Sequence, residues 1–212
     1  MIAGAIYGSV SYGAAGEHSD VEVIVVTDEA IEEVDEYFFD ESVMVECAVV
    51  QADRLVASAG EVPWNWGIKA DAYRHQLPVW DPDAFFEGLR AAALSIPAER
   101  FERALEGTWW WCFETRGKFL NALAAGDVPR ALNTAWQFAY AAAMRIALRE
   151  RKPYESMRTV WTDVSSRGYR IEPLLGALAD GASALAGLRE RLDEVWSEIG
   201  AWGRPSSASA AP

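Results

Sequence analysis

The chain has 212 residues, 51% of them apolar, and 19 Lys and Arg against 32 Asp and Glu, for a formal net charge of −13. That apolar content builds a sizeable core and argues against intrinsic disorder. The acidic balance argues against nucleic acid as a partner, because phosphate binding needs clustered Lys and Arg; it suits a cationic ligand or an acidic, solvating surface.

The first part of the chain has strand texture. Residues 3–7 form a short apolar run that ends at Gly8-Ser9, followed by a Gly/Ala-rich stretch at 13–16. Residues 21–27 and 43–50 are rich in Val and Ile, a β signature, and residues 77–80, closed by Asp81-Pro82, read as a fourth short strand. The acidic or polar segments 28–36 and 52–59 read as helical or loop-like.

After about Phe85 the period becomes helical. Helices are predicted over 83–94, 98–125, 129–151, 155–167, 173–178 and 183–202. Gly126-Asp127 stops one of them, and Pro129 suits the first turn of the next. The Ser/Ala/Pro-rich tail 204–212 reads as disordered. The expectation is an α/β domain over 1–88 followed by an all-helical domain over 89–203.

Cys47 and Cys112 sit in apolar runs and make no disulfide framework, which points to a reducing, cytoplasmic setting. With only His18 and His75, a multi-His zinc site is excluded and a Ser-His-Asp triad has little room. Met1-Ile-Ala-Gly carries no basic segment, so no signal peptide is expected. The most apolar stretch, 131–148, contains Asn133, Gln137 and Arg145 and reads as a buried helix of a soluble protein, so no membrane partner is expected.

The segment with most chemical content is Tyr7-Gly8-Ser9 followed, ten residues on from Ser9, by Ser19-Asp20-Val21-Glu22. Residues two apart in a strand share a face, so Asp20 and Glu22 present two carboxylates side by side. Such hard-oxygen pairs bind Mg²⁺, which completes its shell with waters and substrate phosphates. Gly8 lets backbone approach closely, and Ser9 with neighbouring N–H groups suits a phosphate. The bland alternative is a solvated turn. Glu46, amid seven apolar residues, is costly to bury unless paired or on a metal; its bland alternative is an edge-strand Glu facing water.

In the helical half, Glu114, Lys118 and Asn121 stand at i, i+4 and i+7 on a helix rich in Trp and Phe. They read either as a base with a neighbouring cation or as an ordinary surface pair. The ten Trp read mostly as core or interface, and His18 as solvated. The glycines at 13–16 match neither a Walker nor a dinucleotide fingerprint.

Taken together, these motifs resemble the nucleotidyltransferase superfamily, and within it the kanamycin (aminoglycoside 4′-O-) nucleotidyltransferases. The resemblance rests on Tyr7-Gly8-Ser9, Ser19-Asp20-Val21-Glu22, Val45-Glu46, Leu77-Pro78-Val79-Trp80-Asp81 and Glu114-x-x-Gly117-Lys118-x-x-Asn121, and runs from about Ile6 to Gly203. It implies an α+β fold: an N-terminal α/β domain with a mixed sheet, then a C-terminal helical bundle for substrate binding and dimerisation. It implies Mg²⁺ on Asp20 and Glu22, nucleotide contacts from Gly8, Ser9 and Lys118, Glu114 as general base, and Glu46 and Asn121 toward the acceptor. The implied reaction moves AMP from ATP to an aminoglycoside hydroxyl, in a homodimer whose sites are shared between subunits. The same fold also serves non-catalytic interaction proteins, and the same chemistry also serves unrelated metabolites. Tyr12 stands where the family often has an Arg, three residues after the Ser.

Overall fold

The computed structural model describes residues 1–32, 34–40, 43–181 and 185–205; the predicted tail from 206 and the first two residues of the helix predicted at 183–202 lie outside the described residues. In chain order the elements are β1 (Ala3–Tyr7), α1 (Gly8–Ser11), β2 (Val21–Thr27), β3 (Val34–Asp40), β4 (Val43–Gln51), α2 (Ala52–Ala59), α3 (Trp66–Lys69), α4 (Asp71–Arg74) and β5 (Leu77–Trp80). Six helices follow: α5 (Phe85–Leu94), α6 (Ala98–Ala124), α7 (Val128–Glu150), α8 (Val160–Ser166), α9 (Ile171–Ala179) and α10 (Leu185–Ile199). The chain divides into two compact units, Met1–Glu61 with Lys69–Pro97, and Val62–Ile68 with Ala98–Pro212.

The first unit is built on a five-stranded sheet of order β3-β4-β2-β1-β5. The β2–β4 pair is parallel and the other three are antiparallel, so the sheet is mixed. Strand periodicity sends alternate side chains to one face. Ala3 and Ala5 of β1, Ile24 and Val26 of β2 and Val50 of β4 are buried there with Leu55 and Ala59 of α2 and Phe86, Leu89 and Ala93 of α5. The Asp81 carboxylate accepts the N–H groups of Phe85 at 2.7 Å and Phe86 at 3.2 Å, satisfying the open end of α5.

Two sequence expectations are corrected. Residues 34–36, read as helical or loop-like, open β3, which pairs with β4 from Val34↔Val49 to Asp40↔Val43. β3 is an edge strand, and Tyr37, Phe38 and Phe39 are all exposed. Burial therefore left no period-2 pattern in its sequence, and pairing with β4 decided its state. The helix expected over 155–167 is helical only over Val160–Ser166. Before it, Asp163 accepts from the Glu155 N–H at 3.1 Å and from the Thr159 hydroxyl at 2.9 Å, and these side-chain bonds hold a turn instead.

In the second unit, α6 passes to α7 through Gly126, at φ +68°, and Asp127, which accepts the Arg130 N–H at 3.2 Å with Pro129 in the first turn. The Ala-rich stretch of α7 is buried against Cys112, Phe119, Leu174, Leu188 and Leu192. Arg145 is fully buried within this core. Its guanidinium donates to the carbonyls of Leu105 at 2.5 Å and Ile199 at 3.2 Å, tying the end of α10 to α6. Burial pulls its pKa down to about 10. Of the ten Trp, Trp66 and Trp109 are buried and Trp111, Trp161, Trp196 and Trp202 are partly buried against the core of the second unit; so large a side chain rarely leaves the surface completely. No helix among the described residues is long and apolar enough to cross a membrane.

Candidate active site

The sheet register assembles the site in the first unit. Tyr7 of β1 is opposite Glu22 of β2, Glu22 is opposite Glu46 of β4, and Glu46 is opposite Tyr37 of β3. Directly opposed residues share a face. A Tyr-Glu-Glu-Tyr row therefore crosses four strands on the face that carries Ile24 and Val26, with Tyr7 packed against that core. The Tyr37 hydroxyl reaches Glu46 Oε1 at 3.5 Å. β4 lies inside the sheet, so the edge-strand alternative for Glu46 does not hold. Asp20 immediately precedes β2, after a turn closed by the Ser19 N–H on the Gly16 carbonyl at 3.0 Å and the Gly16 N–H on Ser19 Oγ at 2.9 Å.

Gly8 and Glu22 are in contact. A Cβ on residue 8 would fall 1.6 Å from Glu22 Oε2, and Gly8 has φ +66°. Only glycine fits both the left-handed backbone and the space left by the carboxylate. Burial, then the charges of Asp20, Glu46 and Asp71, push the Glu22 carboxyl above its ordinary pKa. Burial and the same carboxylates Glu22 and Glu46 push the Tyr7 hydroxyl well up. The charges of Asp20, Glu46 and Asp71 thus all bear on Glu22.

Asp71 was not singled out in the sequence, and nor was Tyr37. Asp71 pairs with His75 Nδ1 one turn on, the only sequence signal for it being that i, i+4 spacing. Its carboxyl is raised by burial, and lowered in part by His75 and Arg74. Ser9 lies within α1, and His18 is exposed, as the solvated reading expected.

In the second unit, Lys118 Nζ lies 2.7 Å from Glu114 Oε1 on α6, with both side chains about half exposed. Asn121, one turn further, is also exposed. The three form one polar stripe, beside the exposed Trp110 and Phe113. A carboxylate held at a fixed position on a long helix can accept a proton, and the ammonium beside it can meet an anion.

The oxygen-only donor set of Asp20, Glu22 and Glu46 fits a hard cation. Among the described residues no three His, Cys, Asp or Glu converge into a metal cage. Mg²⁺ commonly uses one or two carboxylates and takes its other ligands from water and phosphate. The raised Glu22 carboxyl marks negative charge that such an ion would offset.

The fold is that of nucleotidyltransferase-like proteins. The solved structure of a nucleotidyltransferase-like protein from Exiguobacterium sibiricum 255-15 superposes with a TM-score of 0.56 at 14% identity, over 93% of this chain and 70% of that one. Residues 83–208 match the KNTase C-terminal domain, and the chain belongs to that family. It is 25% identical to the aminoglycoside nucleotidyltransferase (4′) of Bacillus sp and to that of Staphylococcus aureus, each over 93% of this chain and 80% of the relative. By family the chain is a nucleotidyltransferase.

Proposed function

We propose that the chain transfers AMP from ATP to a hydroxyl of an aminoglycoside, with Mg²⁺ as the metal. The observation that carries this reading is the carboxylate row: Glu22 and Glu46 in register, Asp20 acting on Glu22, and Gly8 packed against the Glu22 carboxylate. Names of relatives supply the acceptor class, and a net charge of −13 suits a polycation.

Asp20 and Glu22 would hold the Mg²⁺, which when bound supplies charge neutralisation to the triphosphate. Gly8 and Ser9 bind phosphate through the turn after β1. The acceptor oxygen attacks the α-phosphorus in line. One O–P bond forms as the bond to pyrophosphate breaks, and the hydroxyl proton passes to Glu114. Lys118 meets the phosphates, while Glu46 and Asn121 contact the acceptor. Glu114 and the metal carboxylates belong to different units, and the family resemblance supports a homodimer in which one subunit's carboxylates serve with the other's Glu114.

The test is transfer itself. Purified chain, ATP labelled at the α-phosphate, Mg²⁺ and kanamycin are expected to yield labelled kanamycin and free pyrophosphate, with Asp20→Asn inactive yet folded. Folded wild-type chain that labels no member of an aminoglycoside panel would overturn the acceptor assignment. An Asp20→Asn chain with normal turnover would overturn the metal assignment.

A further inference from the structure

A nucleotide entering the first unit meets Asp20, Glu22, Glu46 and Asp71, and it carries negative charge of its own. A divalent ion offsets part of that repulsion. His75 and Arg74 both act on Asp71.

His75 is held on three sides. Its Nδ1 is bonded to Asp71 Oδ1, with the Asp71 side chain 15% exposed and the imidazole 32% exposed. The Tyr12 ring lies across it, centroids 5.5 Å apart and planes at 58°. Ser11 Oγ lies 2.7 Å from the His75 carbonyl and 2.8 Å from the Gly8 carbonyl, so one hydroxyl ties His75 to the turn that opens the site. Asp71 in turn acts on Glu22. Nδ1 is taken up by Asp71, and Nε2 makes no hydrogen bond among the described residues. The imidazolium form carries N–H on both ring nitrogens: one serves the carboxylate, the other an oxyanion.

We propose that His75 is a nucleotide-binding residue, oriented by Asp71 and Tyr12 so that Nε2 donates to the phosphate oxygens of the nucleotide held at Gly8 and Ser9. This rests on the nucleotidyl-transfer reading above and adds the protein cation that reading lacks in the first unit. The carboxylate fixes the ring's direction, and the imidazolium form of the ring would offer the anion both an N–H and a charge.

The experiment is calorimetric titration of the full-length chain with MgATP in the absence of acceptor, followed by steady-state kinetics with kanamycin. His75→Asn keeps an amide toward Asp71 and loses Nε2; His75→Gln puts an amide nitrogen near the place of Nε2. His75→Asn is expected to weaken MgATP binding and raise the KM for ATP about tenfold or more, the usual worth of a hydrogen bond to a charged group. His75→Gln should recover part of the loss, Asp71→Asn should fall between, and the KM for kanamycin should stay unchanged in all three. Where His75→Asn fails to fold, His75→Ala and its rescue by His75→Arg make the same comparison. MgATP binding equal to wild type in a folded His75→Asn or His75→Ala chain overturns the proposal, as does an equal rise in both KM values. Wild-type chain that binds no MgATP overturns the nucleotidyl-transfer reading and this inference with it.

Discussion

Gly8 and Glu22 compete for one space: a side chain begun on residue 8 would fall 1.6 Å from the Glu22 carboxylate oxygen. The backbone at Gly8, φ +66°, is one that L side chains adopt at a cost of about 1–2 kcal/mol. Gly8→Ala is therefore expected to lose about 1–3 kcal/mol of stability from backbone strain and displacement of the carboxylate. Transfer should fall at least as steeply, because Glu22 is pushed off the site. Thermal unfolding beside an activity assay checks both. An alanine variant as stable as wild type would show that the carboxylate does not occupy this space.

The like charges around Glu22 make a pH prediction. Its carboxyl is raised above its ordinary value of 4.5, first by burial and then by Asp20, Glu46 and Asp71. Just above pH 4.5 the folded state therefore holds more protons than the unfolded chain, and stability falls as pH rises through that window. Glu22→Gln removes the loss. The variant should melt higher than wild type at pH 7, with the gap closing as pH drops below 4.5. Mg²⁺ should raise the melting temperature of wild type more than that of the variant. A variant that melts lower at pH 7 would mean that Glu22 has a favourable partner in the native state.

For Glu114, stability and turnover should separate. The Glu114–Lys118 pair is about half exposed, and exposed pairs at this spacing are worth a few tenths of a kcal/mol. Glu114→Gln should leave the melting temperature nearly unchanged. Turnover should drop by roughly 10²- to 10⁴-fold, the contribution of a positioned base. Turnover within a factor of two of wild type would reduce the pair to surface electrostatics.

Sharing of sites between subunits is checked by complementation. Asp20→Asn and Glu114→Gln chains are mixed and allowed to exchange, with exchange confirmed by size-exclusion chromatography of differently tagged chains. In a two-fold dimer with shared sites, half the molecules are heterodimers with one intact site each, so activity should return to about a quarter of wild type. Confirmed exchange with no recovery would put the whole site within one chain.

Much of this was legible in the residues. The Val/Ile runs specified β2 and β4, because those strands have buried positions and hydrophobic pattern records burial. Gly126, Asp127 and Pro129 specified the α6–α7 boundary, because their backbone and capping chemistry is local. Asp20 and Glu22 were paired in the sequence by strand alternation, but β2 opens at Val21, and what links the two in the structure is the Asp20 charge acting on the Glu22 carboxyl.

The register belonged to the tertiary structure. That Glu46 stands opposite Glu22, and Tyr7 and Tyr37 beside them, depends on β4 pairing parallel with β2 while β3 covers its other edge. Those pairings join segments far apart in the chain, and no periodicity within one segment encodes its partner. β3 itself was hidden because both its faces are exposed, so burial left no alternation to read. Asp71 and His75 carried only an i, i+4 spacing in the sequence. What brings them beside Gly8 is the antiparallel pairing of β1 with β5, Ile6 opposite Leu77, with the Ser11 hydroxyl shared between the Gly8 and His75 carbonyls, 67 residues apart (8 to 75).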